Sequence, residues 1–342
     1  MDDFHKKADI FVENLLTEGA QVPCDETADS FTENNENLPN FYDEDLFKKG
    51  QQFYHRNIFA VFVAKIFGLI AVLAIPTIRH ILVFTKMSGS DYTAYKRYVA
   101  TIFHMTIWYD SDFKPGSKLW KSISEVKKLH NSASKGSCKA GINRISQKDM
   151  ALTQFGFMGF QLARPYHFSL DHVSNEEWTA FIHLWKVVGH LLGIEDRFNI
   201  CRDSVEETRA ICEKLLQKAF LPQVAKKDPE FLEMSKYLID GLWTIQPMLN
   251  FGVLMCVLKI LLTNSKRFIN HDHEEYIELT IWQKCLLYFF GTIIFSLRFA
   301  PFRWYHNHTR YRDLWLMKNF PFLAYYKFGY KRAQVKILSK TE

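Results

Sequence analysis

The sequence predicts an all-α protein. Glycine and proline are scarce, 15 and 10 in 342 residues, which favours long helices over turn-rich β structure. Ser followed three residues later by an acid recurs just ahead of apolar-periodic stretches, and this is how a helix start reads in sequence. No stretch alternates apolar and polar residues with the period of a strand, and no short repeat is present. Hydrophobic residues make up 48% and aromatics 15%, with 30 Phe, enough for a large core.

The elements follow in order. Residues 1–50 hold 13 acidic and 4 basic side chains, a net −9 that leaves +15 on residues 51–342. A short amphipathic start runs into an Asn/Glu/Asp-rich stretch, so a helix followed by a flexible acidic segment is expected. Residues 57–84 form an apolar run near the roughly 20 residues needed to span a bilayer. Lys65 and Pro76 interrupt it, so a buried core helix is an equal reading. Ser146-Gln-Lys-Asp149, Ser174-Asn-Glu-Glu177 and Ser204-Val-Glu-Glu207 each open a helix, and Asp228-Pro229 opens another with Pro in the first turn. Residues 248–262 and 281–299 are further apolar runs, open to reading as spans, hairpins or buried helices. From Arg298 onward ten Lys/Arg face only Asp313 and Glu342 among Trp, Tyr and Phe. Beside apolar runs, such a tail suits an anionic membrane surface better than nucleic acid. The expected organisation is therefore an acidic N-terminal segment over 1–50, an α-helical catalytic domain over 51–245, and apolar helices with a basic aromatic region over 246–342.

Several chemistries lack their motifs. The six cysteines show no Cys-x-x-Cys and no metal-like spacing, so they read as reduced packing residues. There is no His-Glu-x-x-His, no Gly-x-Ser-x-Gly and no Gly-rich phosphate loop, so hydrolase and nucleotide readings lack support. His271-Asp-His273-Glu-Glu275 sits in a polar linker and reads as a solvated loop. His306-Asn-His308 lies in the basic aromatic stretch and reads as interfacial surface. Asn307-His-Thr309 is a glycosylation sequon, useful only if the loop expected there is lumenal. Met1–Lys6 lacks a secretory pattern, and no retrieval tetrapeptide closes the chain.

Two helical faces carry the candidate chemistry. Trp120, Ile123, Lys127, His130 and Ser134 share one face at about 100° per residue. Arg97, Thr101, His104 and Trp108 share a face of the preceding helix. Adjacent helices with mixed polar and aromatic faces are what a buried cofactor site needs, though each residue alone also suits a structural role. Trp178, Phe181, Trp185 and Val188 form a third stripe that reads as core.

Taken together, three blocks resemble the DUF2236 family, which includes the latex-clearing rubber oxygenases and the fungal ER-bound oxygenase MpaB, and here its animal branch. They are Tyr95-Lys-Arg97-Tyr-Val-Ala-Thr101 with Trp108-Tyr109, Val126-Lys-Lys-Leu-His130, and Ile145 to Gly159 continuing to Trp185–Asp196. The resemblance covers about residues 75–225. It implies a globin-like helical core around haem b; the apolar runs read above would add helices to it, membrane-embedded or packed on the core. It makes His130 the proximal iron ligand, with Lys127 at a position that is Arg in rubber oxygenases. Arg97 and Thr101 match polar residues of the distal, catalytic side. Ala100 stands where some rubber oxygenases carry a lysine that can occupy the sixth coordination position, so a lysine-closed resting state is not expected. A glutamate proposed there as catalytic base has no counterpart upstream of Arg97.

The implied function is a haem b oxygenase that uses O2 on C=C bonds of an apolar lipid or isoprenoid-like substrate, membrane-associated and at the endoplasmic reticulum, with no nucleic-acid partner. Two alternatives stay open. One is a non-catalytic haem- or lipid-binding membrane-associated helical protein. The other is a structural membrane protein that kept the fold and lost the cofactor.

Overall fold

The structure, a computed structural model, describes residues 3–26, 38–265 and 274–338. Its helices are α1 (Asp3–Thr17), α2 (Glu44–Arg56), α3 (Ile58–Leu73), α4 (Pro76–Phe84), α5 (Asp91–Asp110) and α6 (Lys118–Lys139). They continue as α7 (Gln147–Ala163), α8 (Asn175–Leu191), α9 (Val205–Leu215), α10 (Leu221–Ala225), α11 (Pro229–Leu242) and α12 (Phe251–Thr263). The chain ends in α13 (Glu274–Ile277), α14 (Ile281–Ser296), α15 (Ala300–Asn319), α16 (Phe322–Phe328) and α17 (Tyr330–Ala333). A single π-helical turn, Leu216–Phe220, joins α9 to α10. Among the described residues there is no strand, only one isolated bridge between Pro23 and Ser146.

The predicted helix starts are where the sequence puts them. Ser146 and Ser174 form reciprocal capping boxes with Asp149 and Glu177. Ser204 caps Glu207 in one direction only, because the Glu207 carboxylate is taken by Arg202 at 3.2 Å. Asp228 caps α11 ahead of Pro229. Helix α1 is anchored rather than free: Ala8, Val12 and Leu15 are buried, and Asp9 pairs with Lys214 and Lys218 at 2.8 and 3.0 Å. Residues 27–37 of the expected flexible segment lie outside the described residues, as do His271 and His273.

The run 57–84 resolves into two helices. It breaks at Pro76, whose missing N–H suits a first turn but not a helix interior. Helix α3 is buried along nearly its whole length, Lys65 included, and so is a core helix. Arg79, also buried, locks the break. It reaches the Leu73 and Ala74 carbonyls at 3.4 Å each, and pairs with Glu230 at 2.7 Å and Asp228 at 3.1 Å on α11.

Two glycines set the closest helix contacts. A Cβ on Gly50 of α2 would meet the Ala180 carbonyl of α8 at 2.5 Å, where Phe53 packs on Phe181 and Trp178. A Cβ on Gly68 of α3 would overlap the Gly156 backbone of α7.

The C-terminal helices differ in burial. Helix α12 is mostly buried, whereas α14 buries only Leu287 and Ile294 and α15 only Arg310 and Met317. Most large exposed apolar side chains lie beyond residue 276, among them Trp282, Trp304 and Trp315. Among the described residues no single helix is long and apolar enough to cross a membrane. The bent pairs α2–α3 and α14–α15, at 91° and 111°, match a span by length and composition. The sequon lies on helix α15, not on a loop. The Asn307 amide donates to the Arg56 carbonyl at 2.7 Å and its oxygen accepts from Phe59 N–H at 3.1 Å. The nitrogen a glycan would need is thus committed to the α2–α3 junction.

Candidate active site

Helices α5 and α6 pack side by side, and their register brings the candidate residues together. At one end Ser122, fully buried on α6, sits 2.8 Å from His104 Nδ1 and accepts from Trp108 Nε1 at 2.9 Å. Two turns along α5, Arg97 faces the same side as His104. Both repel a proton on His130, which places the three side chains in one electrostatic neighbourhood.

His130 is held in its neutral form. Burial first, then the charge of Arg97 and the nearby His104, push its pKa down to about 4. It is therefore neutral at pH 7, the form in which imidazole binds metals. Its Nδ1 is buried with no hydrogen-bond partner, an arrangement that costs about 1–3 kcal/mol and calls for an explanation. Burial likewise pushes His104 down to about 4.

Arg97 is half-buried. Desolvation lowers its pKa, and no carboxylate offsets the loss among the described residues. Uncompensated cations of this kind are costly unless an anion joins them. Thr101 lies one turn on. Its hydroxyl donates to the Arg97 carbonyl at 3.0 Å, leaving the oxygen lone pairs as acceptors.

Lys127 stands apart from that group. It is almost fully buried and burial depresses its pKa to about 8, opposed only by the Cys24 thiol. The α6 stripe is thus divided among neighbours. Trp120 and Ile123 are core, Ser134 accepts from Ile145 N–H at 3.0 Å, Lys127 is coupled to Cys24, and His130 is coupled to α5. Sequence reasoning did not single out Ser122. Nothing in its local pattern marks it, because its role depends on the α5–α6 register.

A haem is a fair test of this donor set. It needs a neutral imidazole for the iron and cations for its propionates. His130 and Arg97 meet those needs, and the orphaned Nδ1 and unpaired guanidinium are what a missing partner would leave. Among the described residues no cluster of three or more His, Cys, Asp or Glu could hold a bare metal ion, so protein side chains alone would leave a metal short of ligands.

Within an all-helical domain, a neutral imidazole beside an unpaired guanidinium is a donor set that an anionic, metal-bearing group would fit. Residues 53–264, well over half of the chain, match the family described as ER-bound oxygenase mpaB/B'/rubber oxygenase, catalytic domain. The chain belongs to that family of oxygenases. A solved structure, that of latex clearing protein LCP in the closed state, is similar with a TM-score of 0.55 and 15% identity, over 92% of each chain. At that identity the likeness shows a shared fold. No curated protein matches the chain.

Proposed function

We propose that this protein is a haem b-dependent oxygenase that uses O2 on C=C bonds of an apolar lipid or isoprenoid-like substrate. The observation that carries the reading is the orphaned, neutral imidazole of His130 beside the unpaired guanidinium of Arg97, inside the family's catalytic domain. His130 would supply an imidazole to the iron and Arg97 a counter-charge for a propionate. The bound haem would supply the redox chemistry that O2 needs. Ser122 joins His104 and Trp108 across the α5–α6 seam. The Thr101 oxygen is an acceptor one turn from Arg97. Lys127 could serve a second propionate only if the haem reaches toward Cys24.

We place the protein at a membrane, on the endoplasmic reticulum. Such a substrate dissolves in bilayers. Support comes from the exposed Trp, Tyr and Phe of α14–α16 interleaved with Arg298, Arg303, Arg312, Lys318 and Lys327, the composition of an interfacial surface. Protein purified without added haem should show a Soret band that His130→Ala removes and Arg97→Ala weakens. Haem-replete protein should consume O2 with a polyunsaturated isoprenoid. A Soret band without O2 uptake would favour the haem- or lipid-binding alternative, and a colourless protein would overturn the haem reading.

A further inference from the structure

A continuous line of oxidisable rings leads from the candidate site to the surface. It starts at Trp108, which shares Ser122 with His104. The Trp108 ring lies 6.4 Å from that of Trp185. Trp185 lies 6.5 Å from Tyr109 and donates its Nε1 hydrogen to the Tyr109 hydroxyl at 3.1 Å. Tyr109 stacks on Tyr54 at 3.6 Å with rings 4° from parallel. Next comes His55, 5.4 Å from Tyr54, and then Tyr311, 6.1 Å further and nearly parallel to it. The four Trp and Tyr rings before His55 are buried, while Tyr311 is 39% exposed.

The far end is built for proton-coupled electron loss. A phenol gives up an electron readily only when its proton has somewhere to go. His55 Nε2 faces two acceptors, the Tyr109 carbonyl at 3.1 Å and an Asp110 carboxylate oxygen at 3.3 Å. That nitrogen therefore carries the ring hydrogen, and Nδ1 offers a lone pair to the Tyr311 hydroxyl 2.8 Å away. Tyr109, by contrast, accepts the Trp185 hydrogen. Lys65 Nζ lies 4.8 and 4.9 Å from the Tyr109 and Tyr54 ring centres, where desolvation favours its neutral form. Arg310 is the cation coupled to Tyr54, and it opposes a positive charge resting there. The geometry therefore lets an electron vacancy pass through the buried rings and come to rest on Tyr311.

We propose that Tyr311, His55 and Asp110 form a redox outlet, fed through Tyr54, Tyr109, Trp185 and Trp108, that drains stray oxidising equivalents from the active site to a thiol- or ascorbate-class reductant at the aqueous edge of the α14–α16 surface. One electron leaves Trp108 for a hydroperoxide-class oxidant that reaches the site; each O–O bond broken takes up two such electrons and two solvent protons and gives water with an alcohol or a second water. Trp108 is refilled from Trp185, and Trp185 from Tyr311 by way of Tyr109 and Tyr54. Tyr311 loses one electron, and its phenolic proton moves to His55 Nδ1, giving a neutral tyrosyl radical and an imidazolium facing Asp110. The solution reductant returns the electron, and His55 returns the proton. The outlet rests on the proposed haem function.

The test uses full-length haem-containing protein, its haem content read first from the Soret band. Substoichiometric hydrogen peroxide is added without substrate, and samples are freeze-quenched for electron paramagnetic resonance. A tyrosyl radical is expected, cut at least fivefold by Tyr311→Phe and by Trp185→Phe, unchanged by Tyr326→Phe off the path, and erased by ascorbate. Haem should bleach several-fold faster in Tyr311→Phe and Trp185→Phe. His55→Gln should slow radical formation, which a merely structural role would not do when circular dichroism is unchanged. A wild-type signal in haem-replete Tyr311→Phe overturns the outlet alone. Colourless wild-type protein overturns the haem function and the outlet together.

Discussion

Replacing Gly68 by Ala probes the contact on which the α3–α7 seam depends. Helix propensity alone favours the change by about 0.5–1 kcal/mol, since Gly is costly inside a helix. Packing opposes it. The new Cβ would overlap the Gly156 carbonyl, a backbone group with no rotamer to turn away. The helices must part by on the order of 1 Å, which forfeits a quarter to a half of each dispersion contact along the seam. Overpacking of this kind costs about 1–3 kcal/mol, and a rigid backbone obstacle puts Gly68 at the top of that range. After subtracting the propensity gain, about 2 kcal/mol of net destabilisation is expected. Gly89 is the control, because nothing lies within 4 Å of its would-be Cβ, and Gly89→Ala should stay within about 0.5 kcal/mol of wild type. Urea unfolding followed by circular dichroism reads both. A Gly68→Ala protein as stable as wild type would refute the close-contact reasoning.

Three further predictions follow from buried polar groups. Ser122→Ala strands His104 Nδ1 and Trp108 Nε1 together and should cost about 2–4 kcal/mol in urea unfolding. Arg79→Met removes the lock between the end of α3 and the start of α11, and about 2–3 kcal/mol of destabilisation is expected. A small effect would show that the half-exposed Glu230 and Asp228 contribute little. Lys127 has a folded pKa of about 8 against roughly 10.4 unfolded. Between these values the unfolded chain binds more protons, so stability should rise with pH from 8 to 10.5. Lys127→Met should remove that rise and gain up to about 3 kcal/mol at pH 7. A flat wild-type profile over that range would contradict it.

The helices were readable because their signals are local. Ser146 and Asp149 cap a helix through atoms three residues apart, and Pro76 breaks one through its own missing N–H. The apolar periodicity of α8 likewise names Trp178, Phe181, Trp185 and Val188 as core, and all four are buried. The α5 stripe was legible for the same reason, and its His104 and Trp108 reach Ser122 on α6. What an apolar run packs against is not local. Residues 57–84 and 281–299 look alike in sequence, yet α3 is enclosed by the core while α14 is largely uncovered.

The site divides along the same line. The sequence by itself determined that the chain is helical and that Arg97, Thr101, Lys127 and His130 sit on helical faces, because capping and the 3.6-residue period act within one segment. Only the tertiary structure decided that His130 shares an electrostatic neighbourhood with Arg97 and His104, that Lys127 is coupled to Cys24, that Ser122 joins α5 to α6, and that Tyr311 lands on His55 from 256 residues away. Such contacts depend on the register and rotation of one helix against another. Those are fixed by the summed packing of many side chains and by the glycines that let backbones approach.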